Sequence, residues 1–591
     1  MQHTLLENLL QNGNLVTLEM NEDPSLAGAN AVKTGKAEKA EKAGKVVKAS
    51  SSVIGASLLL EACGGGSASS STSSSTIPPV AVAPTDAEAS RFLAQASVGA
   101  TRAHIAQVKA SGYSAWIDAQ IALPQSASRW NWLKTKGYDA AANIFTQNGF
   151  DSVVWYKLMT SPDTLRQRVA HALSEILVVG IDGLTGSGWQ AFAAANYLDL
   201  LEANAFGNYR TLLQVISTST AMGQYLTFVG NIKANPKIDS LPDENYAREL
   251  MQLFTIGLLK LNPDGTPVVV NGANQETYTL TDITGLARIF TGWNFDLSTS
   301  NTTTPDFHQR PLTQVASQHE TGASTFLGST VPAGLTGAQS LTAALDIVFA
   351  HPNLAPFVSR QLIQRLVTSN PSPAYVQRVS TVFLNDGNNV KGNLAAVVKA
   401  ILLDDEARNS SNLTNPQFGK LREPIYRFLN WARAYNVTSV SDLWTVGNTS
   451  DASSKLGQSP LRSGSVFNFF RPGYVPPNTS IANASLVAPE FQITNESTVI
   501  GYVNFMQRIV SKGNTDLVPD YSSLTPLAAT PSALLAEINT VVAAGQLSDA
   551  TISALVTAIS SMPGGTDAAN ANRVYAALTL VFAAPEYIVQ K

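Results

Sequence analysis

Glu244-Asn245-Tyr246-Ala247-Arg248-Glu249-Leu250-Met251-Gln252-Leu253-Phe254 is a run of good helix formers in which Glu244 and Arg248, and likewise Asn245 and Glu249, stand four residues apart. Apolar residues fill most of the remaining positions, so at least one of these polar pairs must point inward. An unpaired charge there would cost several kcal/mol. A partner is therefore required, and Arg288 in Leu286-Ala287-Arg288-Ile289-Phe290-Thr291-Gly292-Trp293 is the natural candidate on a following helix.

The same 3.6-residue texture extends in both directions. It predicts helices over 152–160, 164–179, 189–204, 208–218, 244–257, 281–291, 339–350, 354–368, 373–384, 393–403, 422–435 and 497–511, and it returns in 531–591. At the start, Thr85-Asp86-Ala87-Glu88 reads as a capping box before Phe92 and Leu93, Gly99 closes that helix, and Thr101 caps the next as far as Gly112. Trp116 and Ile121 lie on a third helix. The fold class is mainly α, a large multi-helix body. Turn chemistry at Asn262-Pro263-Asp264-Gly265 and Asn271-Gly272, flanking Val268-Val269-Val270 and Thr277-Tyr278-Thr279, adds one or two small β-hairpins. Residues 294–330 and 440–490 are rich in Gly, Pro, Ser and Asn and read as long ordered loops, where sites tend to lie. The second also allows a subdivision of the body.

The amino-terminal 84 residues have a different grammar. Lysines at 33, 36, 39, 42, 45 and 48 precede the apolar stretch Val53-Ile54-Gly55-Ala56-Ser57-Leu58-Leu59-Leu60, then Glu61-Ala62 and Cys63, the one cysteine of 591 residues. Gly64-Gly65-Gly66-Ser67 and a Ser/Thr run to Thr76 follow. Charge, apolar stretch, small residue and tether come in export-signal order, so 1–62 reads as a leader, 63–84 as a tether and 85–591 as the body. Leu60 and Ala62 suit a lipid-attachment cysteine, whereas Glu61 and the long leader do not. Three readings stand: an export signal with Cys63 acylated, with Met20 as an alternative start; export without acylation; and a cytosolic chain with a solvated leader. A lipid on Cys63 would anchor the protein to a membrane without spanning it.

Composition narrows the chemistry. No thiol follows Cys63, which excludes disulfides, thiolate metal sites and a cysteine nucleophile from the body. Charged residues make up 14% and the formal net charge is −4, with no basic cluster beyond the leader, so a nucleic-acid reader is not indicated. No apolar run in the body is long enough for a spanning helix. Walker, dinucleotide, Gly-x-Ser-x-Gly and His-Glu-x-x-His motifs are all missing.

Two sets of residues remain as candidates. The first comprises Glu244, Glu249 and Glu320 as acids or bases, His319 as proton carrier in His319-Glu320-Thr321-Gly322, and Asn245, Arg248 and Arg288 as binding residues. Each also has a plainer reading, a salt-bridge network or an exposed loop histidine. The second is His171 and Glu175, one helical turn apart with Arg168 a turn before. They could give two metal ligands, but no second histidine lies on that turn, so no metal is assigned.

Asp243–Gly257 and Ala287–Trp293 together resemble a large bacterial family catalogued as domain of unknown function eighteen-hundred. Arg91-Phe92-Leu93, Gly207-Asn208-Tyr209-Arg210, His351–Phe357, Arg422-Glu423-Pro424 and Ala584-Pro585-Glu586-Tyr587 extend the likeness over roughly 85–591. The resemblance implies exported, mainly helical proteins, often encoded beside a secreted sulfatase-like partner, and brings no established reaction or cofactor. Members commonly carry a lysine where this chain has Ser324, and a Trp-His-Asn-His-like run where it has Leu173-Ser174-Glu175-Ile176. The expected function is that of an exported, lipid-anchored helical protein that binds or assembles with a secreted partner at the cell envelope. The alternative is an envelope hydrolase acting on a glycan or other polymer through carboxylate and histidine acid–base chemistry.

Overall fold

The computed structural model describes residues 83–591. The leader, most of the tether and Cys63, with the expectations attached to them, lie outside the described residues.

The body is mainly α, as its periodicity requires, and the described residues form one compact unit. Thr85 and Glu88 close the expected capping box on helix Asp86–Ala96, Thr101 caps Arg102–Ser111, and Gly112 turns the chain with φ 76° into Tyr113–Ala122. Three helices form the centre: Thr164–Ser174, Gln190–Ala203 and Pro424–Ala434 are buried over nearly their whole length. Such helices have almost no face left for solvent. They carry Arg166, Arg168, His171, Arg427 and Arg433 into the interior, where each polar group needs a partner. Trp155, Trp189 and Trp431 fill the space among them without exposure to solvent.

Helix Leu354–Leu366 packs on Thr164–Ser174 and on Pro373–Leu384. Towards the carboxyl end, Glu496–Lys512 packs on Asp567–Ala583, which also meets Pro531–Val541. The two ends of the body close on each other. Lys420–Leu421 pairs antiparallel with Val589–Gln590, and the Arg91 and Gln95 side chains donate to the Lys591 carbonyl.

The hairpin expected at Asn271-Gly272 is present, with Val269–Val270 paired to Ala273–Asn274. Further two-residue and three-residue ladders occur at Trp293–Asn294 with Thr313–Gln314, at Ser324–Phe326 with Ser329–Val331, and at Thr438–Ser439 with Leu517–Val518. Residues 440–490, where composition allowed a subdivision, lie inside the one unit. They bury Trp444, Leu456, Leu461 and Phe470 in it.

Two predicted helices end differently. The one expected to reach 179 stops at Ser174; Glu175–Leu177 turn the chain, with the Ile176 and Leu177 amides donating back to the Leu173 carbonyl, before Val178 and Val179 continue as buried chain outside any helix or strand. The one expected over 244–257 is α-helical only for Asn245–Glu249 and then widens into a π-helical turn, Leu250–Thr255. There the Ile256 amide donates to Met251 at 2.9 Å and the Thr255 hydroxyl to Leu250 at 2.5 Å, both five residues back. Among the described residues no single helix is long and apolar enough to cross a membrane. The apolar pair Gly337–Ala350 and Leu354–Leu366 is bent by 77°.

Candidate functional site

The residues singled out around Glu244 form surface and near-surface ion pairs. Glu244 pairs with Arg248 at 3.2 Å and accepts from Thr284 at 2.7 Å. Arg288 pairs with Glu320 at 3.4 Å, and with neither Glu244 nor Glu249. The expectation that Arg288 would satisfy the Glu244 helix is corrected accordingly. The Asn245 side chain caps nothing and donates only to Thr227, at 3.4 Å, while its amide donates to Asp243 at 2.7 Å.

His319 is not an exposed loop residue. It is 1% exposed, with its Nδ1 against Thr291 O at 3.0 Å, and burial lowers its proton affinity. Its neighbour Glu320 points the other way, as successive residues of extended chain do, and the Gly322 amide and Arg288 keep it ionised. Glu249 is buried with Oε2 unpaired, and burial raises its pKa. These carboxylates and His319 line neither of the two cavities described below.

The polar interior contains two ionic clusters of contrasting character. In the first, Arg129 holds Glu202 at 2.6 Å and Asp199 at 3.0 Å, Lys157 holds Glu202 at 2.8 Å, and Asp199 also accepts two backbone amides. Each carboxylate is tightly matched, so the cluster reads as packing. The second is loosely matched and opens onto a cavity. It gathers His171 and Glu175 from the end of one central helix, Arg365 from the last turn of Leu354–Leu366, Lys420, Glu423 and Tyr426 around the start of another, and Gln458, Asn468 and Glu490 from the long loop region.

Within this second cluster Glu423 precedes Pro424 at the amino end of its helix, where the helix dipole favours a negative charge. It accepts from Gln458 at 2.8 Å and lies 3.3 Å from the Lys420 ammonium, which also pairs with Glu490 at 3.0 Å. Burial opposes its ionisation, but Lys420 and a hydrogen bond from Glu175 hold it below the usual carboxylate range. Glu175 is the opposite case. Burial and the neighbouring Glu423 charge push its carboxyl well above that range, and Arg365, at 3.9 Å, is too distant to reverse this. The two carboxyls therefore share one proton, which resides on Glu175. His171 lies against the Tyr426 hydroxyl at 2.7 Å and is driven by burial to about 4, so it is neutral at pH 7.

His171, Glu175 and Glu423 each offer an atom within 4.8 Å of the others, a spacing compatible with a cation. The sequence lacked a third ligand because Glu423 lies 248 residues beyond Glu175. Lys420 and Arg365 already supply positive charge to both acids, however, and that arrangement favours a shared proton over a metal.

Glu175 and Arg365 lie at the wall of a cavity of about 450 Å³, a size usual for small-molecule sites. Leu253, Leu259, Leu261, Phe357 and Phe467 make its sides largely apolar, and Arg360 and Arg471 also reach it. The π-helical turn places Gln252 and Leu253 there, and Gly257 follows with φ 70°, leaving room for the Phe357 ring. Behind Glu175 a water-sized void is lined by His171, Gln458, Ser459 and Asn468, and the buried Ser459 hydroxyl has no partner.

The whole body, residues 91–589, matches the family described as Protein of unknown function (DUF1800). The chain belongs to this family. No curated protein matches it, and no solved structure does. Of the two motifs that resemble the DUF1800 family, Asp243–Gly257 thus contributes Gln252, Leu253 and Gly257 to the cavity wall, and Ala287–Trp293 does not line it.

Proposed function

We propose that this DUF1800 protein is an exported hydrolase of small molecules, tethered at the cell envelope through Cys63, in which Glu175 is the proton donor and acceptor. The observation that carries this reading is a buried carboxyl pair of which Glu175 lines the cavity, with burial and the Glu423 charge raising Glu175 and Lys420 holding Glu423 low behind it. Environments that drive two neighbouring carboxyls apart in proton affinity give acid and base from one residue type. Glu175 delivers its proton to a leaving group in the cavity, and once ionised takes one from the attacking water. Glu423 stays behind it and sets its proton affinity, and Lys420 in turn sets that of Glu423. Export and tethering rest on the order of charge, apolar stretch, Cys63 and Gly/Ser run.

Oxygens of the two carboxyls lie within 4.8 Å of each other, closer than the roughly 5–9.5 Å that separates the pair in most glycosidases. This spacing and the apolar walls favour a small substrate over a glycan. Assembly with a secreted sulfatase-like partner, the other expectation, has no comparable feature in support.

The test is hydrolysis of a panel of p-nitrophenyl esters, phosphates and glycosides by the wild type, Glu175→Gln and Glu423→Gln. Turnover with a pH-dependent limb that Glu175→Gln abolishes supports the reading. Equal turnover by Glu175→Gln, or none by the wild type on any of the panel, counts against it.

A further inference from the structure

Arg365 is 3% exposed, yet its guanidinium donates no hydrogen bond among the described residues. The one carboxyl near it is Glu175 at 3.9 Å, beyond hydrogen-bonding distance. Its only other notable contact is the face of Phe470, with the guanidinium carbon 4.7 Å from the ring centre. A buried arginine has five donors in a fixed fork, and leaving them unanswered is costly.

The same cavity wall holds Arg360, half-buried, whose one hydrogen bond is a long 3.5 Å contact to Gly265 O. At 4.5 Å from the centre of the Phe467 ring sits Arg471. Neither has a carboxylate within ion-pair distance among the described residues, so three guanidinium groups face one mainly apolar space. Elsewhere in the interior Arg129 is closely paired with Asp199 and Glu202 and Arg433 donates to the Leu158 and Ser161 carbonyls, whereas Arg422, stacked on Tyr587, is also buried with nitrogens that lack a partner among the described residues but faces no cavity.

We infer that the cavity binds a small amphiphilic anion, its carboxylate or phosphate group seated on Arg365 and Arg360 and its apolar body lying along Phe357, Leu253, Leu259 and Phe467. An anion completes what the fold leaves open: it supplies acceptors for the buried fork in the bidentate geometry that carboxylate and phosphate share, and the apolar walls supply the rest of the affinity. Arg471, at the rim, guides the charge inward. As the substrate class of the hydrolase reading this inference rests on that reading. As a binding site it stands on the arginines alone.

Isothermal titration of the full-length protein with octanoate, octyl phosphate, octanol and inorganic phosphate tests it. Octanoate or octyl phosphate binds, and whichever binds more tightly identifies the anionic group. Octanol and inorganic phosphate bind at least tenfold more weakly, because each lacks half of what the cavity recognises. Arg360→Gln, a half-exposed position that leaves the core packing intact, weakens the bound anion about tenfold, and Arg365→Gln weakens it at least as much. Equal binding of octanol and octanoate, no binding of either amphiphilic anion, or undiminished binding by Arg360→Gln overturns the inference. Glu175→Gln keeps its affinity for the anion within about twofold, so a failure of the hydrolase reading leaves this result standing and the reverse is equally visible.

Discussion

Glu175→Gln and Glu423→Gln are the same chemical change at two touching positions, and the structure assigns them opposite consequences. A neutral Glu175 already has the shape and charge of glutamine, so its replacement removes no charge from the fold; it changes stability by less than about 1 kcal/mol at pH 4.5 and below, and at pH 7, where the unfolded glutamate ionises, the variant is the more stable of the two. Glu423 is the ionised member and the close partner of Lys420, which is itself 3% exposed. Its replacement leaves Lys420 with Glu490 as its one carboxylate and the Arg365 carbonyl as its other acceptor, and costs about 3–5 kcal/mol, the range for breaking a buried pair. Urea denaturation at pH 7 separates the two outcomes. The pH dependence sharpens the test. Because the folded Glu175 holds its proton above the ordinary glutamate pKa near 4.5, its contribution is fully present below that value and is lost as pH rises towards the folded value. The wild type therefore loses up to about 1.4 kcal/mol per pH unit relative to Glu175→Gln over that window. Equal destabilisation by the two variants, or parallel pH profiles for the wild type and Glu175→Gln, would refute the assignment of the proton to Glu175.

Three further outcomes follow from other parts of the fold. Gly257→Ala places a Cβ 2.6 Å from the Phe357 ring at a left-handed φ of 70°, and it should lower the urea-derived stability by about 2–4 kcal/mol. A change below 1 kcal/mol would mean that the cavity wall yields. Asp516 accepts the Ser441 and Thr445 amides at 2.8 Å each along with three hydroxyls, and Asp516→Ala should cost about 2–4 kcal/mol, with faster amide exchange confined to 439–446 as the signature. Burial depresses His104, His171 and His308 to about 4, so each favours the fold above the ordinary histidine pKa of 6.5 and loses that effect as pH falls towards 4. The urea midpoint should fall over that interval despite the opposing Glu175 term, and imidazole NMR shifts should show all three neutral at pH 6; a protonated signal from any of them there would contradict its burial.

By itself the sequence determined the local structure and the family. Capping residues such as Thr85 and Thr101, the 3.6-residue spacing of apolar side chains and the Asn271-Gly272 turn act over a few neighbours, and the helices and hairpin they specify form where expected. His171 and Glu175 were also visible as a pair on one helical face. The tertiary structure decided what that pair is for. Glu423 stands 248 residues beyond Glu175 and Arg365 stands 190 beyond it, and no local spacing connects them. Proton affinity was equally out of reach, since burial and the placement of Lys420 make two glutamates differ, and both are properties of the packed interior. The helix of Glu244 and Arg248 looked chemical because its charges sit among apolar residues; folding turns Glu244 and Arg248 towards the surface, buries Glu249 alone, and gathers the larger set of buried, loosely paired charges elsewhere. Local sequence sets which residues form each helix, whereas long-range packing alone sets which charges share a low-dielectric interior and which of them lack a partner.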